Sequence, residues 1–330
     1  HICKLEIDSF LVGGYVRDLL LSKESKDVDI MTLGDPYTLT SRVSKESGFS
    51  NYKIFKNFGT ASINYQSINY EFVGARKESY TKISRNPEVS PGLFDDDMKR
   101  RDFTINAIAV SLGKNYGNLI DTFNGIDDLK NKIIRTCDDP HKTFEDDPLR
   151  MMRAVRFASQ LNFDIEESTF KSLSENAERI KIVSQERITD ELNKIILSDK
   201  PSYGFKLLYV SGILNYIFPE LSNLQGVEKI NNHSHKDNFY HTLEVLDNTS
   251  NFSDNLWLRW SAILHDIAKP QTKRYKEKIG WTFHGHEDLG ARLVPKIFKK
   301  LRLPMNNKMK YVQKLVRLHL RPIALVKDHI

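Results

Sequence analysis

Asp27 and Asp29 stand one residue apart in the run Asp27-Val28-Asp29-Ile30. Charged and apolar residues alternate there, which is the period of a strand, and side chains two apart in a strand share a face. The two carboxylates are thus held side by side, where a cation relieves their repulsion; hard oxygen ligands suit Mg²⁺. Upstream, Gly13-Gly14 opens a segment with Arg17 one turn further on. Glycine lets a phosphate come up against the backbone at a helix start, and the guanidinium adds positive charge. A phosphate binder beside a metal binder points to nucleotidyl transfer. Each piece also has a plain structural reading: Gly-Gly as a turn, and Asp-x-Asp as a solvated strand edge.

Holding these groups requires a strand over residues 10–12, a helix carrying Val16, Leu19 and Leu20 on one face, and a strand over 27–30. Residues 54–65 and 68–74 read as a strand hairpin. Glu71, in its second arm, is either a third carboxylate of the metal site or a solvent-facing strand residue, and it is not assigned to the site. Residues 76–99, with Pro87, Pro91, Gly92 and the acidic run Asp95-Asp96-Asp97, read as a long mobile loop. Beyond residue 138 strand signals largely vanish, and helical periodicity appears over 148–161, 166–178, 185–198 and 203–216.

The chain's 330 residues, 40% hydrophobic and 28% charged, suffice for two or three domains of an ordinary soluble protein. A net charge of +6 suits a polyanionic partner, although an excess of Lys also serves solubility. Cys3 and Cys137 fit no metal or disulfide spacing, so a reducing, cytoplasmic setting is expected. The longest apolar run, 207–218, is interrupted by Ser211, Gly212 and Asn215 and reads as a buried helix, so no membrane segment is expected. The chain begins at His1 without a Met and stops at Ile330, and further residues at either end are expected.

Three more stretches carry chemistry. In Arg100-Arg101-Asp102-Phe103-Thr104-Ile105-Asn106-Ala107, guanidinium groups can clamp triphosphate oxygens while Asp102 and Asn106 orient an Arg or a ribose hydroxyl. In Asp146-Asp147-Pro148-Leu149-Arg150-Met151-Met152-Arg153-Ala154-Val155-Arg156, Pro148 and the two acids suit a helix start. Steps of three put Asp147, Arg150, Arg153 and Arg156 on one stripe, with Leu149, Met152 and Val155 toward a core. Ser184-Gln185-Glu186-Arg187-Ile188 with Glu191, Leu192, Lys194 and Ile195 reads as a capped helix bracing that one. Finally, eight of the ten histidines fall between His233 and His329, more clustered than dispersal by chance would leave them.

Gly-Gly-x-Val-Arg-Asp followed by Asp-x-Asp-Ile, the Arg-Arg-Asp-Phe-Thr-x-Asn-Ala run and the Asp-Asp-x-x-Arg-x-x-Arg run occur in order. This series resembles the class II tRNA nucleotidyltransferase and bacterial poly(A) polymerase family. The resemblance implies an α+β fold: a nucleotidyltransferase head with a mixed β-sheet and flanking helices over 1–136, a helical neck over 137–200, and a helical HD-like, tRNA-binding body over 201–330. It further implies Asp27 and Asp29 as catalytic ligands of two Mg²⁺ ions, and Gly13, Gly14, Arg17, Arg101, Asp102, Asp147, Arg150, Arg153 and Arg156 as nucleotide-binding. In that family the Asp and first Arg of the third motif act as a protein template for the incoming base. A carboxylate accepts from the exocyclic amine of cytosine or adenine and a guanidinium donates to the neighbouring ring nitrogen, whereas uracil and guanine leave these groups unpaired. Asp146 stands where Glu is usual. The implied reaction adds CMP and AMP from CTP and ATP to the tRNA 3′ end, and the segment 76–99 lies where CCA-adding members carry a loop that helps switch from C to A.

Poly(A) polymerases share the motifs but usually carry a basic strand where this chain reads Asn57-Phe58-Gly59-Thr60-Ala61-Ser62-Ile63. Around His241, around His265-Asp266 and at His284-Gly285-His286 the sequence also resembles an HD domain, where such residues hold a divalent metal that activates water. His241, His265 and Asp266 match it; Asp328 is the candidate for its final Asp. That region is then either a metal-dependent phosphohydrolase or a retained scaffold for tRNA.

Overall fold

The computed structural model describes residues 2, 7–48, 52–56, 59–81, 84–230, 233–234 and 236–327. The run before the paired glycines is strand β1 (Ser9–Val12), and helix α1 (Gly14–Leu20) follows. Next come β2 (Asp27–Thr32), α2 (Pro36–Ser47), β3 (Tyr52–Phe55), β4 (Thr60–Tyr65) and β5 (Ile68–Gly74). A separate ribbon of β6 (Arg76–Thr81) and β7 (Ser84–Pro91) leads to α3 (Phe94–Lys99). Strands β8 (Ile108–Ser111) and β9 (Leu119–Asp121) complete a seven-stranded sheet of order β3-β4-β5-β2-β1-β8-β9. Its β2 and β5 are parallel and all other neighbours antiparallel, so the sheet is mixed, as expected.

The pleat of β2 is locked by burial. Val28 and Ile30 pack with Leu39 and Val43 of α2, Ile63 of β4 and Phe72 of β5, while Met31 joins Val12, Met98 and Ala109 in a second cluster. Burying each such side chain contributes about 1.5–3 kcal/mol, so slipping the register by one residue is prohibitive. Asp27 and Asp29 are thereby held on the face opposite Val28 and Ile30.

Three expectations are corrected here. The described residues of 76–99 form the β6–β7 ribbon and α3 where a long loop was expected; both strands of a two-stranded ribbon are edges and tolerate Pro87, and the three acids occupy the first turn of α3, where the helix dipole favours them. On α1 the buried pair is Val16 and Arg17, with Leu19 and Leu20 exposed, because polar contacts described below draw the guanidinium inward. The expected helix over 203–216 is two helices, broken at Gly212, whose φ of 79° is the left-handed conformation that lacks a steric cost only for glycine.

The chain divides into two compact units, His1–Asp147 with Asp164–Thr169, and Pro148–Phe163 with Phe170–Ile330. The first also holds α4 (Gly125–Asn131) and α5 (Pro140–Asp146). Among the described residues the remaining α-helices are α6 (Leu149–Leu161), α7 (Glu167–Glu175), α8 (Gln185–Ile196), α9 (Pro201–Val210), α10 (Ile213–Ile217), α11 (Pro219–Ser222), α12 (Asn238–Ser250), α13 (Leu256–Leu264), α14 (Lys269–Thr272), α15 (His286–Lys300), α16 (Asn307–Leu318) and α17 (Arg321–Lys327). In the second unit α6 packs on α8 and α9, and α13 on α12 and α16. Arg259 of α13, 2% exposed, donates to the carbonyls of Ile196 and Ser198 at 2.8 Å and of Ser253 at 2.8 Å, tying α8 to α13. No helix among the described residues is long and apolar enough to cross a membrane.

Candidate functional sites of the head and of the histidine cluster

In the head, Gly13 is where two motifs meet. Its φ is +75°, and a Cβ there would stand 3.1 Å from both Asp29 Oδ2 and Arg101 Nη1. A side chain would therefore intrude between the carboxylate of the first motif and the guanidinium of the second. In the parallel pairing of β2 with β5, Asp29 sits directly beside Glu71, and Asp27 beside Asn69. Burial pushes the Asp29 carboxyl above its ordinary value; Arg101 pulls it down, and the nearby Glu71 and Asp27 push it further up. A carboxylate that is costly to ionise among other carboxylates is a good site for a cation. Glu71 is the residue the sequence left unassigned. Period-two alternation cannot say which strand lies next to β2, and only the sheet order brings Glu71 there.

The second motif is a connected network. Arg17 Nη1 donates to Asn106 Oδ1 at 2.7 Å, and Asn106 Nδ2 donates to Asp102 Oδ1 at 2.9 Å. Arg17 also donates to Asp18 Oδ1 from Nε at 2.9 Å and from Nη2 at 2.7 Å. Asp102 Oδ1 accepts from the Phe103 N–H at 2.9 Å. Arg101 Nη2 donates to Asp97 Oδ2 at 2.9 Å, while its buried Nε has no hydrogen-bond partner. An unsatisfied buried donor costs on the order of 1–3 kcal/mol, and an anionic ligand relieves that cost. Asp97, fully buried, was legible only as one acid in a charged run. Gly13, Asp29, Arg101, Asp102, Asn106 and Arg17 are thus brought into one region.

In the third motif, Asp147 closes α5 and Pro148 precedes α6. The division between the two units falls between these residues. Along α6, Leu149, Met151, Met152, Ala154 and Val155 are buried, whereas Arg150, Arg153 and Arg156 are half-buried at three-residue steps. Arg156 Nε lies 3.0 Å from Glu191 Oε2 of α8, as an ion pair rather than an aligned hydrogen bond, and its guanidinium lies 4.1 Å from the centre of the Phe157 ring. Helix α8 thus braces α6 as its sequence suggested, with Arg156 as the tie.

The histidine cluster is built around one carboxylate. Asp266 is 2% exposed. Its Oδ2 lies 3.1 Å from His265 Nε2 and 3.8 Å from His241 Nε2; its Oδ1 lies 3.2 Å from His286 Nε2 and 3.7 Å from His319 Nε2. The Nδ1 atoms of His265, His286 and His319 each sit 2.7 Å from a backbone carbonyl, of Ala262, Phe283 and Val316. A carbonyl only accepts, so each Nδ1 carries a proton, and each Nε2 faces Asp266, where it can donate to the carboxylate as an N–H or, with that proton lost, offer a lone pair to a metal ion. Two groups of three ligating atoms within 4.8 Å result, His241 with His265 and Asp266, and Asp266 with His286 and His319. Lys269 Nζ lies 2.6 Å from Asp266 Oδ2, yet that oxygen has no aligned hydrogen bond. Four imidazoles around an under-satisfied buried carboxylate fit a divalent metal of the imidazole-preferring kind.

The charges respond accordingly. Burial works against the Asp266 carboxylate, but the imidazoles of His265 and His286 set against it and the charge of Lys269 hold it well below the carboxylate range. Burial lowers His241 and His319, whereas at His286 the bond to Asp266 outweighs burial and raises it. A cavity of about 430 Å³ opens beside the cluster, walled also by Val245, Leu258 and Leu315. His286 and His319 are candidate ligands that the sequence did not assign. The His-x-His at 284–286 was a signal; His319, alone in a basic helix, offered none. Asp328, the expected final ligand, lies outside the described residues.

Three families match the chain: "Poly A polymerase head domain" over residues 9–135, "Probable RNA and SrmB- binding site of polymerase A" over 162–224, and "HD domain" over 238–326. A CCA-adding enzyme of Lactobacillus helveticus is 41% identical over 204 residues, 61% of this chain and 49% of that protein. An A-adding tRNA nucleotidyltransferase of Deinococcus radiodurans is 32% identical over 302 residues, 89% of this chain and 64% of that protein. The chain thus spans about half to two thirds of these relatives' lengths. A solved tRNA-processing enzyme with CTP superposes with a TM-score of 0.68 at 25% identity, over 98% of this chain and 90% of its own. With the sheet order, the Gly13 junction and the histidine cluster, these likenesses give the chain a poly(A) polymerase head domain, an RNA-binding region and an HD domain in that order, the arrangement in which it resembles CCA-adding enzymes and tRNA nucleotidyltransferases.

Proposed function

We propose that the protein adds nucleotides to the 3′ end of tRNA, completing CCA from CTP and ATP. The observation that carries this reading is that Asp29 and Arg101 both come up to Gly13, close enough together for one nucleotide to meet a metal ion at the carboxylate and a phosphate at the guanidinium. In this reading residues 1–136 are the catalytic head, 137–200 the neck and 201–330 the tRNA-binding body. Asp27 and Asp29, with Glu71 beside them, would hold Mg²⁺, whose Lewis acidity lowers the pKa of the primer hydroxyl and offsets charge on the leaving pyrophosphate. Gly13 and Gly14 leave room for the triphosphate; Arg101 and Arg17 bind its oxygens, and Asp102 and Asn106 hold Arg17 in place. Asp147 and Arg150 choose the base, with Arg153 continuing the basic stripe and Arg156 keeping α6 on α8.

Incubation with a tRNA lacking its terminal CCA, and each NTP singly and in pairs, tests the reading. A three-nucleotide product from CTP plus ATP is expected; no incorporation overturns it, and an unlimited ladder from ATP alone makes the protein a poly(A) polymerase. A second reading, addition of the terminal A only, is favoured by the A-adding relative aligned over 89% of this chain. A tRNA ending in CC extended by ATP, together with one lacking CCA left untouched by CTP, would establish it. The histidine cluster supports a separate divalent-metal site with phosphohydrolase chemistry, read by release of phosphate from phosphorylated nucleotides.

A further inference from the structure

The Arg-Arg pair of the second motif is not two equivalent guanidiniums. Arg100 is taken up by two acids: its Nη1 donates to Glu78 Oε1 of β6 at 3.1 Å, its Nε donates to Asp97 Oδ1 at 2.9 Å, and its Nη2 meets the same oxygen. Glu78 also lies 3.1 Å from Arg76 Nε, off the hydrogen-bond axis, and its side chain is only 5% exposed. Arg101 takes the other oxygen of Asp97 and keeps a buried Nε without a partner. The base of the ribbon is closed by the Gly92 N–H to the Ala75 carbonyl at 3.0 Å, so Glu78 is carried on anchored backbone. Among the described residues, this cluster sets Arg76, Arg100 and Arg101 against Asp97 and Glu78, leaving one positive charge. Of the three guanidiniums, Arg101 is the one that reaches Gly13, its Nη1 standing 3.1 Å from where a Cβ would be.

We propose that Glu78 is a positioning residue that limits the head's grip on polyphosphate: it holds Arg100 out of the anion site, so that the motif offers one guanidinium instead of two. The inference rests on the head being a nucleotide site. Its physical logic is that pyrophosphate must leave after each addition, and a clamp with two free guanidiniums would retain it. Charge-assisted bonds to Arg are worth enough that freeing one changes anion affinity substantially.

Titration calorimetry with tripolyphosphate, without metal, reads the clamp directly. Glu78→Gln keeps the shape and removes the charge; it should bind tripolyphosphate about tenfold tighter than the native protein, with a steeper salt dependence. The double variant Glu78→Gln/Arg100→Gln should lose that gain. In nucleotide addition, Glu78→Gln should lower KM for NTP and kcat together, about five- to tenfold each, because product release slows. A brace that merely held the ribbon would alter thermal stability and leave both constants alone. Equal or weaker tripolyphosphate binding in Glu78→Gln, or a gain that survives loss of Arg100, overturns the proposal. Should Glu78→Gln fail to fold, Arg100→Gln decides: a fall beyond threefold in tripolyphosphate affinity would mean Arg100 already grips the anion. If the native protein adds no nucleotide while the tripolyphosphate pattern holds, the functional reading fails and this one stands.

Discussion

At the scale of single residues, the roles proposed for Asp29 and Arg150 separate chemistry from recognition. Asp29→Asn should reduce nucleotide addition by at least about a thousandfold, the order expected when a metal ligand that stabilises transition-state charge is lost, while tRNA binding by filter retention stays within about twofold. The pH dependence has a definite sign. The Asp29 carboxyl is raised in the fold, so it favours the folded state when protonated, below its unfolded value, and that contribution is lost as pH rises through the folded value. Metal-free Asp29→Asn should therefore melt higher than the native protein at pH 7, and the difference should shrink on acidification; a variant melting lower at neutral pH would contradict the burial argument. Arg150→Ala should blur selection between CTP or ATP and UTP or GTP more than it weakens NTP binding, since the base-reading donors go and the phosphate contacts remain. Equal losses for all four nucleotides would remove Arg150 from that role.

Elements hold these residues through a few polar ties. Glu166 precedes α7, and its Oε2 accepts from the Thr169 N–H at 2.7 Å, from Thr169 Oγ1 at 2.8 Å and from Ser168 Oγ at 2.7 Å. Burial alone would push its carboxyl up, but these hydrogen bonds dominate and pull it down to about 2 from 4.5. A depressed carboxylate contributes stability above its unfolded value and loses it as pH falls through the folded one. Glu166→Ala should cost about 0.5–1 kcal/mol at pH 7, the low range for an exposed helix cap, with the difference fading between pH 4.5 and 2. Urea melts at several pH values would show it; a pH-independent difference would point to packing instead. The ties between α6 and α8, and between α8 and α13, are of the same kind, made by Arg156 and Arg259.

For the whole molecule, the two candidate sites belong to different compact units, the head's to the first and the histidine cluster to the second. Their chemistries should come apart. Mn²⁺ or Zn²⁺ added to metal-free protein should stabilise the fold by binding the cluster, by about 2.7 kcal/mol at a hundredfold excess over Kd, read as a higher melting temperature. His265→Ala should abolish most of that shift while leaving nucleotide addition largely intact, and Asp29→Asn should do the reverse. Loss of addition in His265→Ala would tie the two sites into one function.

Much of this protein was legible in the chain itself. The alternation at Asp27-Val28-Asp29-Ile30, the Arg-Arg-Asp run and the three-residue steps along α6 are local periodicities, and local geometry alone sets which side chains share a face. What lies beside what is a matter of long-range pairing, and there the sequence was silent. Glu71 became Asp29's neighbour through the parallel β2–β5 pairing, the charged segment after β5 became a ribbon whose Glu78 captures Arg100, and His286 and His319 joined His265 around Asp266. Each of these depends on contacts between residues far apart in the chain, whose closing is decided by burial and by satisfying buried charge, not by the residues next to them.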